Sequence, residues 1–206
     1  MLKQLFKLCA YDIKYETAGN DVNYAFLQED DTLYIFFQGS SSWLDWVRNF
    51  LFTKKIYKEF RVHRGFYNAY SEVRNIILDK VYNLYSHELK IVVVGYSHGG
   101  ALCTLCLEDL VYHFPQLDIK GYAFESPRCV KAPKKIRERW KNLTVIRCNN
   151  DLVTHCPPKF LGYNDLGTML KIKGDTKLVD KWYLPRCIKS HYPNVVLDGL
   201  YNYEEN

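Results

Sequence analysis

Runs of apolar positions change their spacing along this chain, and the order of the changes predicts its elements. Apolar, β-prone stretches at 23–28 and 32–38 flank the acidic turn Glu29-Asp30-Asp31 and read as a hairpin. Trp43, Trp46, Val47 and Phe50 then fall at i, i+3, i+4 and i+7, which predicts a short amphipathic helix over 42–50. Between 66 and 85, Phe66, Tyr70, Val73, Ile77, Val81 and Leu84 recur at three and four, the stripe of a long helix. Residues 91–94 form an unbroken β-branched run suited to a strand buried on both faces. A second helical stripe follows in Cys103, Cys106, Leu107, Leu110, Val111 and Phe114. Residues 120–124 read as a strand, 134–140 as a helix, 143–148 as another strand, and a terminal helix follows residue 191. Such alternation implies an α/β fold with a parallel or mostly parallel sheet flanked by helices. No repeat, low-complexity stretch or linker divides the chain, so one compact domain over 1–206 is expected.

The junction between the β-branched run and the second stripe carries candidate chemistry. Gly95-Tyr96-Ser97-His98-Gly99 has the G-x-S-x-G pattern of a nucleophile elbow, a sharp strand-to-helix turn that lifts its central hydroxyl clear of the backbone. The glycines leave room where a Cβ would strike a neighbouring element, and the helix N-terminus favours negative charge forming beside the serine.

A serine hydroxyl needs a histidine to take its proton and a carboxylate to steady that histidine. Asp151 directly follows the strand at 143–148 and should emerge at the carboxyl end of the sheet, where sites on such folds lie. His191 lies in a polar loop before the terminal helix, which completes the order serine, acid, histidine. His155 competes for the base role, but it stands only four residues beyond Asp151, too few to approach the serine from a different side. Asp165, Asp175, Asp180 and Asp198 are weaker candidates for the acid, because none directly follows so clear a strand. Oxyanion donors should come from the His98 main-chain amide and from the small polar turn Gly39-Ser40-Ser41-Ser42 after the hairpin.

Composition narrows the setting. The 206 residues are 48% apolar and 16% aromatic, which suits a packed core and excludes general disorder. A net charge of +5 is too mild for a dedicated nucleic-acid binder. The cluster Lys131, Lys134, Lys135, Arg137, Arg139 and Lys141 reads as a solvated face, with weak attraction to an anionic lipid surface as the sharper alternative. Seven cysteines are an odd number, and several fall inside predicted elements, so free thiols in a reducing compartment are expected. Cys156 and Cys187 are the first pair to suspect otherwise. Cys103 and Cys106 form a CxxC within a helix stripe without a second ligand pair, so no metal and no organic cofactor is expected. The opening apolar stretch is broken by Lys7 and Asp12, and nothing approaches a membrane span, so the expected location is cytoplasmic.

Six blocks in order, FQGSSSWLDWVRNF, VHRGFYNAY, VVVGYSHGG, FESPRCV, NNDLVTHCPP and SHYP, resemble the class 3 lipases, a family that includes fungal triacylglycerol lipases. The resemblance implies an α/β-hydrolase fold and a serine carboxylester hydrolase acting on lipid acyl esters. It implies Ser97 as nucleophile, Asp151 as acid, His191 as base, and the amides of Ser40 and His98 as the oxyanion hole. By the same resemblance Trp43, Trp46, Val47 and Phe50 would belong to a lid or contact the acyl chain, and a lipid interface would be a transient partner. Two positions depart from the family's usual residues: Gln38 stands for arginine and His98 for leucine. The alternatives are phospholipase A1 or lysophospholipase action, and, from another class, a catalytically vestigial binding or signalling protein.

Overall fold

A computed structural model describes residues 1–19, 22–39 and 53–204. The predicted helix at 42–50 and the Ser40 turn lie outside the described residues. Among these residues the main sheet has seven strands. Glu16–Ala18 (β1), Val22–Glu29 (β2) and Thr32–Phe37 (β3) are antiparallel neighbours. Lys90–Tyr96 (β6), Asp118–Phe124 (β7), Leu143–Cys148 (β9) and Thr168–Ile172 (β10) extend it in parallel from β3. The order is β1-β2-β3-β6-β7-β9-β10, so the expected hairpin and mostly parallel sheet are both present.

The central strands send alternate side chains to opposite faces, as the two-residue period of a strand requires. Leu33, Ile35, Phe37, Ile91 and Val93 meet the helices Arg64–Leu84 (α2) and His98–His113 (α3) through Phe66, Tyr70, Val73, Ile77, Leu102 and Leu105. Phe36, Val94, Phe124 and Ile146 face the other way, onto Leu2–Lys7 (α1) and the C-terminal helix Pro193–Glu204, with Phe6, Val195, Val196 and Leu200. Cys103 and Cys106 are fully buried in the first of these layers, as core residues. All seven cysteines are unpaired.

Several elements were not anticipated, the edge strands β1 and β10 among them. The helix α1 is only six residues long, too short for its period to stand out, yet Phe6 packs on Tyr96 and Phe124. Lys54–Tyr57 (β4), Phe60–His63 (β5) and Val130–Lys131 (β8) make a small antiparallel sheet. The turn of that hairpin is tied to α3: Lys58 reaches Glu108 and Asp109 at 2.9 and 3.1 Å, while Arg74 reaches Asp109 at 2.6 Å. Residues 134–140 form a 3₁₀ helix in place of the expected α-helix. Only Ile136 and Trp140 of that segment pack inward, and the Trp140 indole donates to the Thr104 carbonyl at 2.9 Å. Of the basic cluster, Arg139 pairs with Glu59 and Glu108, while Lys134 and Lys135 stay solvated. Among the described residues no helix is long and apolar enough to cross a membrane.

Candidate active site

Strand β6 ends in Tyr96, and the chain turns through Ser97 into α3 with φ 56° and ψ −119°. Such a conformation costs about 1–3 kcal/mol in a non-glycine residue and is held by the packing on either side. A Cβ at Gly95 would lie 2.0 Å from the Gly99 carbonyl oxygen, and one at Gly99 would lie 2.2 Å from that of Phe37. The two glycines therefore let the elbow close and bring the end of β3 against the start of α3. The Ser97 N–H donates to the Phe124 carbonyl at 2.9 Å, which pins the turn to β7.

The expected residues converge here. His191 Nε2 lies 2.7 Å from Ser97 Oγ, and His191 Nδ1 lies 2.6 Å from Asp151 Oδ2. A carboxylate only accepts, so in the neutral ring Nδ1 carries the proton and Nε2 faces the hydroxyl with its lone pair. Asp151 Oδ1 accepts from the Val153 N–H at 3.0 Å, which fixes the carboxylate's second oxygen. All three side chains are buried, Ser97 at 2% exposure and the other two at 0%.

His155 does not join them. Its Nδ1 lies 2.8 Å from the main-chain carbonyl of Asp151, not its carboxylate, and the residue is exposed. Asp165 is held by Arg128, Arg147 and Lys159 at 2.6–2.8 Å, Asp175 caps a 3₁₀ turn, and Asp198 accepts from the Asp175 N–H. The Gln38 amide oxygen accepts from Asn23 Nδ2 at 2.8 Å, so Gln38 itself is held from β2. His98 begins α3 and its ring packs 5.5 Å from Phe66; the second expected oxyanion donor, Ser40, is outside the described residues.

Three supporting roles, those of Tyr96, Arg128 and Glu125, were not predicted from the sequence. Tyr96 packs flat on His191 and donates its hydroxyl to that residue's main-chain carbonyl. Arg128 donates to the carbonyls of His155 and Pro157 and pairs with Asp165, bracing the loop that carries Asp151. Burial opposes ionisation of Asp165, but hydrogen bonds from Lys159, Arg147 and Arg128 outweigh it and hold the carboxyl well below the usual range. Glu125, at the end of β7, is buried beside Asp151. Donor atoms of Glu125, Asp151 and His191 lie within 4.8 Å of one another, spacing that a cation could bridge. Both ring nitrogens of His191 are already engaged by Asp151 and Ser97, so the arrangement is built to relay a proton.

A parallel sheet that turns through a strained serine into a helix, with the acid after a later strand and the histidine before the last helix, defines an α/β-hydrolase. The family model described as lipase (class 3) matches residues 34–161, more than half of the sequence, and the chain belongs to this family. A lipase of Rhizomucor miehei is 36% identical over 148 residues, covering 67% of this chain and 41% of that protein. Phospholipase A1-IIgamma of Arabidopsis thaliana is 27% identical over 188 residues, covering 74% of this chain and 44% of the relative. A solved Rhizomucor miehei triacylglyceride lipase superposes with a TM-score of 0.68 at 29% identity, over 78% of this chain and 65% of that one. The chain thus spans less than half the length of these curated relatives.

Proposed function

We propose that this chain hydrolyses acyl esters of lipids through an acyl-enzyme on Ser97, with residues 1–206 acting as one catalytic domain. The observation that carries the reading is the unbroken hydrogen-bond chain Ser97–His191–Asp151 at 2.7 and 2.6 Å on a strained elbow. Ser97 Oγ attacks the ester carbonyl while His191 Nε2 takes its proton, and Asp151 supports the imidazolium that forms. The His98 and Ser40 amides receive the negative charge on the former carbonyl oxygen. The tetrahedral species collapses, the C–O bond breaks, and the alcohol leaves with the proton from His191. Water, deprotonated by the same ring, then releases the fatty acid and regenerates the serine.

Substrate must reach a serine that is 2% exposed, and the reading includes a segment that moves aside to admit it. The apolar stripe Trp43, Trp46, Val47 and Phe50 is the segment proposed for that role, with a lipid surface as the transient partner that draws it aside.

Phospholipid is the second reading for the substrate, favoured by the similarity to the phospholipase A1-IIgamma of Arabidopsis thaliana. The test is to treat the protein with a fluorophosphonate, locate the labelled residue by mass spectrometry, and profile neutral and phosphorylated acyl esters. Label on Ser97 with turnover lost in Ser97→Ala is expected. Folded protein that takes no label and cleaves none of the esters would leave a vestigial binding role in place of catalysis.

A further inference from the structure

The proposed reaction leaves unused one buried carboxyl beside the triad. Glu125 is 0% exposed and has a φ of 49°, a left-handed conformation uncommon for glutamate. Its N–H donates to the Ile146 carbonyl at 2.9 Å, and its Oε1 accepts from the Cys148 N–H at 2.6 Å, so the side chain is clamped to the end of β9. Among the described residues, no N–H or O–H group donates to Oε2. A carboxyl oxygen of Asp151 lies within 4.8 Å of the Glu125 carboxyl.

Two carboxylates so close repel each other in a buried site, whereas one shared proton turns the contact into a charge-assisted hydrogen bond. The other partners decide where that proton sits. Asp151 already accepts from the Val153 N–H and from His191 Nδ1, whereas among the described residues Glu125 accepts only from the Cys148 N–H, which leaves its Oε2 free to carry the proton. Burial, and then the charge of Asp151, push the Glu125 carboxyl well above the usual glutamate range, in agreement with this geometry. The titratable groups facing the pair are Tyr96 at the end of β6, Cys148 at the end of β9 and His191 before the last helix.

We propose that Glu125 is a neutral carboxylic acid whose Oε2–H donates a hydrogen bond to Asp151, making it a positioning residue for the acid of the triad. The donor fixes the Asp151 carboxylate against His191 and draws part of its charge away from the imidazole. The proton claim stands on the carboxyl pair alone; its kinetic consequences rest on the hydrolase reading of Ser97.

The test has a spectroscopic and a kinetic arm. At neutral pH the infrared spectrum of the wild type should contain the carbonyl stretch of a protonated carboxylic acid, and the Glu125→Gln spectrum should lack it. Glu125→Ala removes the donor, so kcat should fall about 10- to 100-fold with KM nearly unchanged, as for a small misplacement of a catalytic group. With the full Asp151 charge then facing His191, the acidic limb of kcat/KM should move to higher pH. Glu125→Gln keeps a neutral N–H donor and should rescue most of the kcat loss and return the limb. Absence of the carboxylic acid band overturns the proposal, and so does a Glu125→Gln variant as impaired as Glu125→Ala. Should Glu125→Ala not fold, the band and the Glu125→Gln pH profile still decide. Failure of the hydrolase reading would show separately, as folded wild type with the band but no Ser97 labelling.

Discussion

Tyr96 and His191 lie face to face, their ring centroids 5.4 Å apart and their planes within 24°, while the Tyr96 hydroxyl holds the His191 main-chain carbonyl. One residue of the elbow thus fixes both the ring and the backbone of the histidine that faces the next residue. Burial pushes the Tyr96 hydroxyl well above its ordinary pKa, so it remains a donor across the working range. Tyr96→Phe, which keeps the stack and loses the donor, should lower kcat several-fold; Tyr96→Leu, which loses both, should lower it further. Steady-state kinetics on a water-soluble ester compare the two, and equal losses would mean that the hydroxyl contributes nothing.

The two histidines near Asp151 should separate cleanly. His191→Ala removes the group that faces Ser97 and should cost roughly 10⁴-fold or more in kcat, by analogy with triad removals in serine proteases. His155→Ala loses contacts to the Asp151 main-chain carbonyl and the Thr154 hydroxyl and should stay within a few-fold of wild type. A dead His155→Ala enzyme beside an active His191→Ala enzyme would reverse the assignment.

Asp165 should set part of the acid sensitivity. Its folded pKa is depressed, so its contribution is fully present above the unfolded value of about 3.9 and is lost as pH falls below it towards the folded one. Asp165→Asn leaves Arg128 and Arg147 without their carboxylate and should cost about 2 kcal/mol at neutral pH, a figure discounted because Asp165 is a quarter exposed. Thermal melts of the pair should converge as pH drops through that range, whereas a constant difference would place the effect in packing.

Thiol reactivity should divide by burial. Burial pushes Cys9 and Cys129 up to about 12 and Cys148 up to about 11, so these thiols resist alkylation in the folded state. Cys156 and Cys187 are partly exposed and should react first. Thiol titration after denaturation without reductant should count seven, and a count of five would reveal a disulfide.

The apolar stripe outside the described residues can be probed by kinetics. If it covers the site in water and opens at a lipid surface, activity on a short-chain ester should climb abruptly as substrate passes its solubility limit. Trp46→Ser should flatten that climb and spare turnover of monomeric ester. Identical hyperbolic curves for both proteins would rule out interfacial opening by this stripe.

Local patterning determined much of this protein. The periods of α2 and α3, the β-branched run of β6 and the glycines around Ser97 are properties of neighbouring residues, and each is read without knowing what lies opposite. Chain order also determined the choice of Asp151 and His191, because the carboxyl ends of parallel strands all open on one edge. The small sheet escaped, since β8 has two residues and its pairing with β5 spans nearly 70 positions; β10 escaped because an edge strand half open to water shows no clear alternation. Only the tertiary structure decided that His155 turns to a main-chain carbonyl, that Tyr96 backs His191, and that Glu125 meets Asp151. The physical reason is the same for all three. A hydrogen bond or a shared proton depends on distances between atoms brought together from separate strands, and no sequence period encodes those distances.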